Sequence, residues 1–87
     1  MKVEQKTNFK EAAKKLPNSE KKDLDQAIEA IKQNPLLGDL KRGTLANVRV
    51  FKFVAAGQLT LLAYIYNDEA SRITLLTMGS FESYTAT

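Results

Sequence analysis

The side chains that could do chemistry in this 87-residue chain are cations, carboxylates and hydroxyls, because the sequence has neither histidine nor cysteine. Without those two residue types the chain cannot form an ordinary zinc site, a Ser-His-Asp triad or a thiolate nucleophile. Three basic residues, Arg49, Lys52 and Arg72, stand isolated among apolar neighbours in the second half. Isolated cations of this kind can hold an anionic partner, either nucleic acid or an acidic protein.

The net charge of +3 is compatible with such a partner, but it is unevenly distributed. Residues 1–43 carry the whole excess of lysine and arginine. In residues 44–87, three basic residues are balanced by Asp68, Glu69 and Glu82. The positive excess therefore belongs to the half of the chain that is predicted to be helical.

The composition, with 44% hydrophobic and 26% charged residues, is typical of a globular domain, and the length predicts one domain over residues 1–87. The N-terminal residues contain no apolar segment resembling a signal peptide. No apolar run approaches the roughly 20 residues that cross a bilayer, so we expect no membrane association. Together with the absence of cysteine, these features predict a cytoplasmic protein.

The first half predicts a short strand and two helices. Lys2–Thr7 alternates weakly, as an edge strand does. The spacing of Phe9, Ala12, Ala13 and Leu16 predicts a helix that begins with a capping box of Asn8 and Glu11 and ends at Pro17. A longer helix, capped by Asn18 or Ser19, then runs to Asn34-Pro35.

Three strands are predicted in the second half, at Val48–Val54, Leu59–Tyr66 and Arg72–Met78, with Gly79-Ser80 ending the last. The middle strand is apolar on both faces, as a central strand is. The order β-α-α-β-β-β indicates an α+β fold of two layers, with a helical hairpin on a mainly antiparallel sheet. Since one helical layer cannot cover both faces, we expect an uncovered apolar face that could bind a partner.

Several segments together resemble the RelE/ParE superfamily of toxins. They are Phe9…Ala13-Lys14-Lys15-Leu16-Pro17, Ala27-Ile28…Ile31…Asn34-Pro35-Leu36…Gly38, Leu40-Lys41, Val48-Arg49-Val50-Phe51-Lys52-Phe53, Leu62-Ala63-Tyr64 and Ile73-Thr74-Leu75-Leu76…Gly79. The similarity covers almost the whole chain in the expected order of elements. No single segment is specific, and the joint occurrence carries the resemblance.

The resemblance implies the toxin of a bacterial type II toxin–antitoxin system, held inactive by a cognate antitoxin. Many members are metal-independent ribonucleases that cleave mRNA at the ribosome, whereas ParE-like members inhibit DNA gyrase. A third alternative is an inactive protein of the same fold that only binds its antitoxin. The resemblance implies no cofactor and no metal. An antitoxin would lay an amphipathic helix or strand across the exposed apolar face or the edge of the sheet.

The resemblance also implies which residues would cleave RNA, since family members use Lys, Arg, His, Glu and Tyr on the sheet and near the C-terminus. Here the corresponding catalytic candidates are Arg49, Glu82 and Tyr84, and the RNA-binding candidates are Lys41, Arg42, Lys52 and Arg72. Phe81 stands where relatives often have histidine, so proton transfer would depend on Glu82 and Tyr84. Arg49 and Lys52 are three residues apart and are expected on opposite faces of a regular strand.

Structural roles are the alternative for several of these side chains. Tyr64 and Tyr66 fit core packing with a solvated hydroxyl. Arg72 could pair with Asp68 or Glu69 in the preceding turn, and Arg49 could form a salt bridge on the sheet surface. The helical lysines fit a solvated face, and they are Lys10, Lys14, Lys15, Lys21 and Lys22.

Overall fold

The structure is a computed structural model that describes residues 1–41, 43 and 47–80. The elements in chain order are β1 (Lys2–Gln5), α1 (Thr7–Lys14), α2 (Asn18–Gln33), β2 (Asp39–Leu40), β3 (Arg49–Ala55), β4 (Gln58–Asn67) and β5 (Arg72–Ser80). The strands form one sheet in the order β1-β5-β4-β3-β2. Only β1 and β5 pair in parallel, and the other described pairs are antiparallel. The predicted α+β fold, with two helices on a mainly antiparallel sheet, is confirmed.

The predicted helix caps are wrong: the cap position of α1 is Lys6, two residues before Asn8, and that of α2 is Pro17, immediately before Asn18. Helix α1 starts at Thr7 after Lys6, whose carbonyl accepts the N–H of Lys10 at 3.0 Å. Helix α2 starts after Pro17, whose carbonyl accepts two helical N–H groups at 3.0 Å. Neither start has a side-chain cap bond, because the lysine and the proline at the two cap positions have no side-chain oxygen to accept one.

The sheet differs from the sequence prediction at three places. Strand β1 ends at Gln5, so Thr7 is helical rather than extended. Strand β5 continues through Gly79 and Ser80, because both residues pair with β4, opposite Leu61 and Thr60. Strand β2 was not predicted, since two residues are too few for any alternation to show.

Strands β3 and β4 form a hairpin that closes through Ala56 and Gly57. Both residues have positive φ, 50° and 77°, which is the geometry of a two-residue type I′ turn. The right-handed twist of the two strands favours this turn, and glycine at its second position adopts it without steric cost.

The main core lies between the helices and the sheet. Phe9, Leu24 and Ile31 from the helices pack against a fully buried set from the sheet, namely Leu62, Tyr64, Ile73 and Leu75. We call this side of the sheet the helix side. As predicted, the central strand β4 supplies apolar side chains to both faces.

The opposite side, which we call the second face, has its own small cluster. Val50, Leu61 and Ala63 are only 3%, 5% and 7% exposed, and no described helix contributes to this cluster. The exposed apolar residues of this face lie instead at its hairpin end, at Val54 and Leu59. The expectation of an uncovered apolar face is therefore wrong for the centre of this face, which is buried.

Within the described residues, no helix is long and apolar enough to cross a membrane.

Candidate functional site

Arg49 lies on the helix side of the sheet, directly opposite Tyr64 on β4. Its Nη1 donates hydrogen bonds to the carbonyl oxygens of Gly38, at 2.8 Å, and Leu36, at 3.3 Å. Both acceptors belong to the segment between α2 and β2. The guanidinium therefore connects that segment to β3 through backbone carbonyls. Among the described residues Arg49 has no carboxylate within 4.0 Å, so the salt bridge considered for it is not found there. The catalytic role of Arg49 stays a prediction.

Tyr64 holds the same segment from the neighbouring strand. Its hydroxyl donates to the carbonyl of Pro35 at 2.7 Å and accepts from the backbone N–H of Gly38 at 2.9 Å. The side chain is fully buried, so core packing is confirmed but the expected solvated hydroxyl is not. Burial raises the pKa of the Tyr64 hydroxyl above its ordinary value, although the bond from Gly38 and the charge of Arg49 act in the opposite direction.

Gly38 is the point at which both side chains meet the segment. A Cβ atom at this position would lie 2.8 Å from Cε1 and 2.9 Å from Oη of Tyr64. Only a residue without a side chain permits this approach, which explains why the hydrogen bond forms at all. The sequence carries no signal for the hydrogen bond between Gly38 and Tyr64, because the two residues are 26 positions apart.

Two of the described RNA-binding candidates lie near each other: Lys52 is on the second face of β3 with Val50, and Lys41 lies beside Val48. Lys52 lies opposite Leu61, and it is exposed. Lys41 follows β2, and its backbone N–H donates to Val48 at 2.8 Å. Val48, which immediately precedes β3, and Lys52 are four residues apart, about 13 Å in an extended chain. The prediction that Arg49 and Lys52 face opposite sides is confirmed.

Arg72 lies far from these lysines, at the start of β5. It faces Asn67 on β4, six residues beyond the Leu61 that faces Lys52, which is about 20 Å along the strand. Its Nε lies 3.6 Å from Oε1 of Glu4. The expected pairing with Asp68 or Glu69 is wrong, because the parallel register of β1 and β5 places Lys2 opposite Arg72 and Glu4 on the same face. One phosphate could not contact both Arg72 and Lys52.

The remaining candidates, Arg42, Glu82 and Tyr84, lie outside the described residues. The last described residue, Ser80, lines a cavity of about 190 Å³ on the second face together with Val50, Leu61, Thr77 and Gly79. One residue, Phe81, separates Ser80 from Glu82 in the sequence. The lining of this cavity on the second face therefore includes the described residue that is nearest in sequence to Glu82 and Tyr84.

A second concavity, of about 540 Å³, lies beside Arg49 at the C-terminal end of α2. Tyr66 and Asp68 line it, and the Tyr66 hydroxyl donates to Asp68 Oδ1 at 2.9 Å. This bond is the main reason that the pKa of Tyr66 lies above its ordinary value. The sequence carries no specific signal for this pair, since a tyrosine and an aspartate two residues apart at a strand end are common.

Among the described residues, no group of three or more Asp or Glu side chains is arranged to hold a metal ion. The side chains that the structure does offer on the second face are cations beside an apolar cavity. Such an arrangement can bind an anionic partner that also presents apolar surface.

Comparisons with known proteins agree on the family and the fold. Residues 3–86 match the family model described as "ParE-like toxin of type II bacterial toxin-antitoxin system". A comparison with curated protein sequences found no match.

Among solved structures, the isolated E. coli RelE toxin is similar, with a TM-score of 0.73 at 16% identity over 98% of this chain and 92% of that one. The toxin in the intact E. coli RelBE toxin–antitoxin complex gives 0.73 at 15% identity, covering 90% and 93%. The archaeal RelE–RelB complex from Pyrococcus horikoshii gives 0.65 at 15%, covering 91% and 92%. At these identities the structures establish the shared fold, and the family model establishes the family. The chain belongs to the ParE-like toxins of type II bacterial toxin–antitoxin systems.

Proposed function

We propose that this toxin arrests bacterial growth in the cytoplasm by cleaving mRNA at the ribosome, and that a cognate antitoxin neutralises it. The observation that carries the proposal is the RelE fold over nearly the full length of the chain. Lys41 and Lys52 support it, since they place positive charge at and beside the second face of the sheet. The proposal takes its reaction from the resemblance to the RelE/ParE superfamily.

The reaction needs proton transfers and charge stabilisation, but no metal. Glu82 would take the proton of the ribose 2′-hydroxyl, whose oxygen attacks the adjacent phosphorus. The bond from phosphorus to the 5′ oxygen breaks, and Tyr84 would protonate that oxygen. Lys52 and Lys41 would stabilise the additional negative charge on the phosphate oxygens.

In this proposal Arg49 has a structural role, whereas the resemblance implies a catalytic role for it. Its Nη1 bonds to Leu36 and Gly38 support the segment that leads through β2 to Lys41. Arg72 would contact RNA only remote from the reacting phosphate. The chemistry is therefore assigned to Glu82 and Tyr84, with the lysines as its electrostatic support.

The test is to add purified toxin to a translating extract and to map breaks in the message by primer extension. We expect breaks within translated codons for the wild type. Loss of a general base or acid costs about 10²–10⁴-fold in rate, so Glu82→Gln and Tyr84→Phe should each lower cleavage by such a factor. Lys22→Ala, on the solvated face of α2, is the matched control and should cleave normally. Intact message at doses that stop translation would contradict the proposal.

Gyrase inhibition is a second candidate, and one observation favours it. Arg49 and Arg72 are both engaged within the protein, and the second face exposes apolar Val54 and Leu59 at its hairpin end. A face of that kind suits binding of a protein target more than proton transfer. A supercoiling assay with excess toxin should then accumulate cleaved gyrase–DNA complexes, and unchanged supercoiling would remove this candidate.

Induction of the toxin in growing cells tests the inactive alternative. If expression without an antitoxin leaves growth unaffected, antitoxin binding is the remaining function. Growth arrest on induction would reject that alternative directly.

A further inference from the structure

Strand β2 forms one edge of the sheet, and part of its backbone faces away from the sheet. The N–H of Lys41, the residue after β2, points inward and donates to the carbonyl of Val48 at 2.8 Å. Backbone groups alternate in direction along an antiparallel strand, so the N–H and C=O of Leu40 point outward, away from β3. Neither group of Leu40 has a hydrogen-bond partner among the described residues. The edge therefore offers one donor and one acceptor to another strand.

The same edge carries exposed leucine side chains. Leu36, Leu37 and Leu40 are 60%, 44% and 50% exposed, and they lie close together in the sequence. Leu36 and Leu40 both line the concavity beside Arg49, so they lie near each other on the helix side. An apolar patch that adjoins an open strand edge is typical of a surface that another chain covers.

The charges on either side of Leu40 form a pattern that is its own complement. Asp39 precedes Leu40 and Lys41 follows it, and all three residues are exposed. When two copies of this segment pair antiparallel about Leu40, Asp39 of each copy lies opposite Lys41 of the other copy. Opposite charges directly across two antiparallel strands stabilise the pairing, whereas like charges weaken it. Parallel pairing in register would bring like charges together, so the pattern favours the antiparallel arrangement.

We propose that β2 pairs antiparallel with β2 of a second copy of this chain, about a two-fold axis at Leu40. Leu40 of each copy donates its outward N–H to the carbonyl of Leu40 in the other copy. The two five-stranded sheets then join into one continuous sheet, with both second faces on the same side. Such an interface uses the same surface on both copies, as most homodimers do. The inference does not depend on the proposed function.

The length of β2 favours its own copy over an unrelated strand. Strand β2 has two residues, and a short edge strand gives few hydrogen bonds to an arbitrary partner. A stable contact at such an edge therefore needs matching side chains as well as backbone bonds. A second copy supplies them, because its leucine meets Leu40 and its charges match Asp39 and Lys41.

Cysteine cross-linking tests the register directly, since the chain contains no cysteine of its own. In the proposed dimer the two Leu40 Cα atoms form a hydrogen-bonded antiparallel pair, about 5.5 Å apart. That separation lies within the range that a disulfide spans. Under air oxidation, Leu40→Cys should therefore form covalent dimers at least about tenfold faster than Val54→Cys. Val54→Cys is the matched control, because Val54 is a strand residue with 60% exposure at the far end of β3. Equal rates in the two variants would overturn the proposal.

Charge reversal tests the cross-strand pairs by sedimentation velocity, without any covalent bond. Wild type should dimerise reversibly in a concentration series that reaches about 1 mM, since a small interface binds weakly. Asp39→Lys and Lys41→Asp should each raise the dimer dissociation constant at least about tenfold, because each places like charges opposite one another. A mixture of the two variants should form dimers within about threefold of wild type, since every cross-strand pair is then of opposite charge. Asp25→Lys, an exposed charge reversal on α2, should dimerise like wild type.

Each outcome of the charge-reversal series decides for or against the dimer. A wild type that stays monomeric throughout the series would overturn the proposal and leave this edge to a strand of another protein. A mixture that remains monomeric, or equal weakening by Asp25→Lys and Asp39→Lys, would overturn it as well. Wild-type toxin that dimerises but cleaves no mRNA would reject the proposed reaction alone.

Discussion

The hydroxyl of Tyr64 accepts the backbone N–H of Gly38 at 2.9 Å, in a buried contact between residues 26 positions apart. The same hydroxyl donates to the carbonyl of Pro35 at 2.7 Å. One central-strand side chain thus satisfies two backbone groups of the segment that leads from α2 to β2. Buried backbone groups need such partners, because an unsatisfied one costs free energy comparable to a lost hydrogen bond.

Tyr64→Phe should destabilise the protein by about 1–3 kcal/mol, because it leaves the Gly38 N–H and the Pro35 carbonyl without their partner. Denaturant unfolding measures the change. Tyr66→Phe is the matched control, since the hydroxyl of Tyr66 bonds to Asp68 at an exposed position. We expect that variant to lose less than about 1 kcal/mol. Equal losses in the two variants would contradict the role assigned to Tyr64.

Gly38→Ala should also destabilise the fold, by about 1–3 kcal/mol, because the added methyl group meets the Tyr64 ring at 2.8 Å and the Val50 backbone at 3.1 Å. Gly79→Ala provides the comparison, since its Cβ meets no atom within 4 Å. That substitution should stay within about 0.5 kcal/mol of wild type. Thermal and denaturant unfolding of both variants test the difference, and a neutral Gly38→Ala would refute the close packing.

Arg49→Ala should lower the free energy of unfolding by about 1.5–3 kcal/mol, the range for a hydrogen bond made by a charged donor. Lys52→Ala should leave stability within about 0.5 kcal/mol, since Lys52 is exposed. Measuring stability and growth arrest together separates the two roles considered for Arg49. An Arg49→Ala protein that is as stable as wild type yet inactive would support the catalytic role instead.

Alkaline pH should destabilise the protein through Tyr64. Burial raises the folded-state pKa of this hydroxyl above its ordinary value of 10.0, so the folded state holds the proton more tightly than the unfolded state. The stabilisation is therefore complete below about pH 10 and is lost as the pH rises through the folded-state pKa. Unfolding free energies measured across that window should fall less steeply for Tyr64→Phe than for wild type. Parallel slopes would contradict this linkage.

Local patterns were enough to predict most of the fold. The spacing of Phe9, Ala12 and Leu16 predicted α1, and alternation on two faces predicted β4 as the central strand. The errors fall where local signals are weakest. Carbonyls of Lys6 and Pro17, rather than side-chain caps, open the helices, and the two-residue β2 has no periodicity of its own.

The candidate site was less predictable than the fold. The sequence correctly predicted that Arg49 and Lys52 lie on opposite faces of β3, because side chains alternate along a strand. It could not show that Arg49 binds carbonyls of the segment before β2, or that Arg72 faces Glu4. Both contacts depend on which strands are neighbours, and strand order is a property of the assembled sheet.

By itself, then, the sequence determined the element types, the family and the absence of histidine and cysteine chemistry, since these follow from residue identity and short-range spacing. The tertiary structure decided which charges are already engaged and which border a groove. From the sequence alone, Lys10, Lys14 and Lys21 are expected on a solvated helix face. In the structure they border a groove between α1 and α2. Their meeting across an apolar floor depends on the angle and register of the two helices, which only the packed core sets.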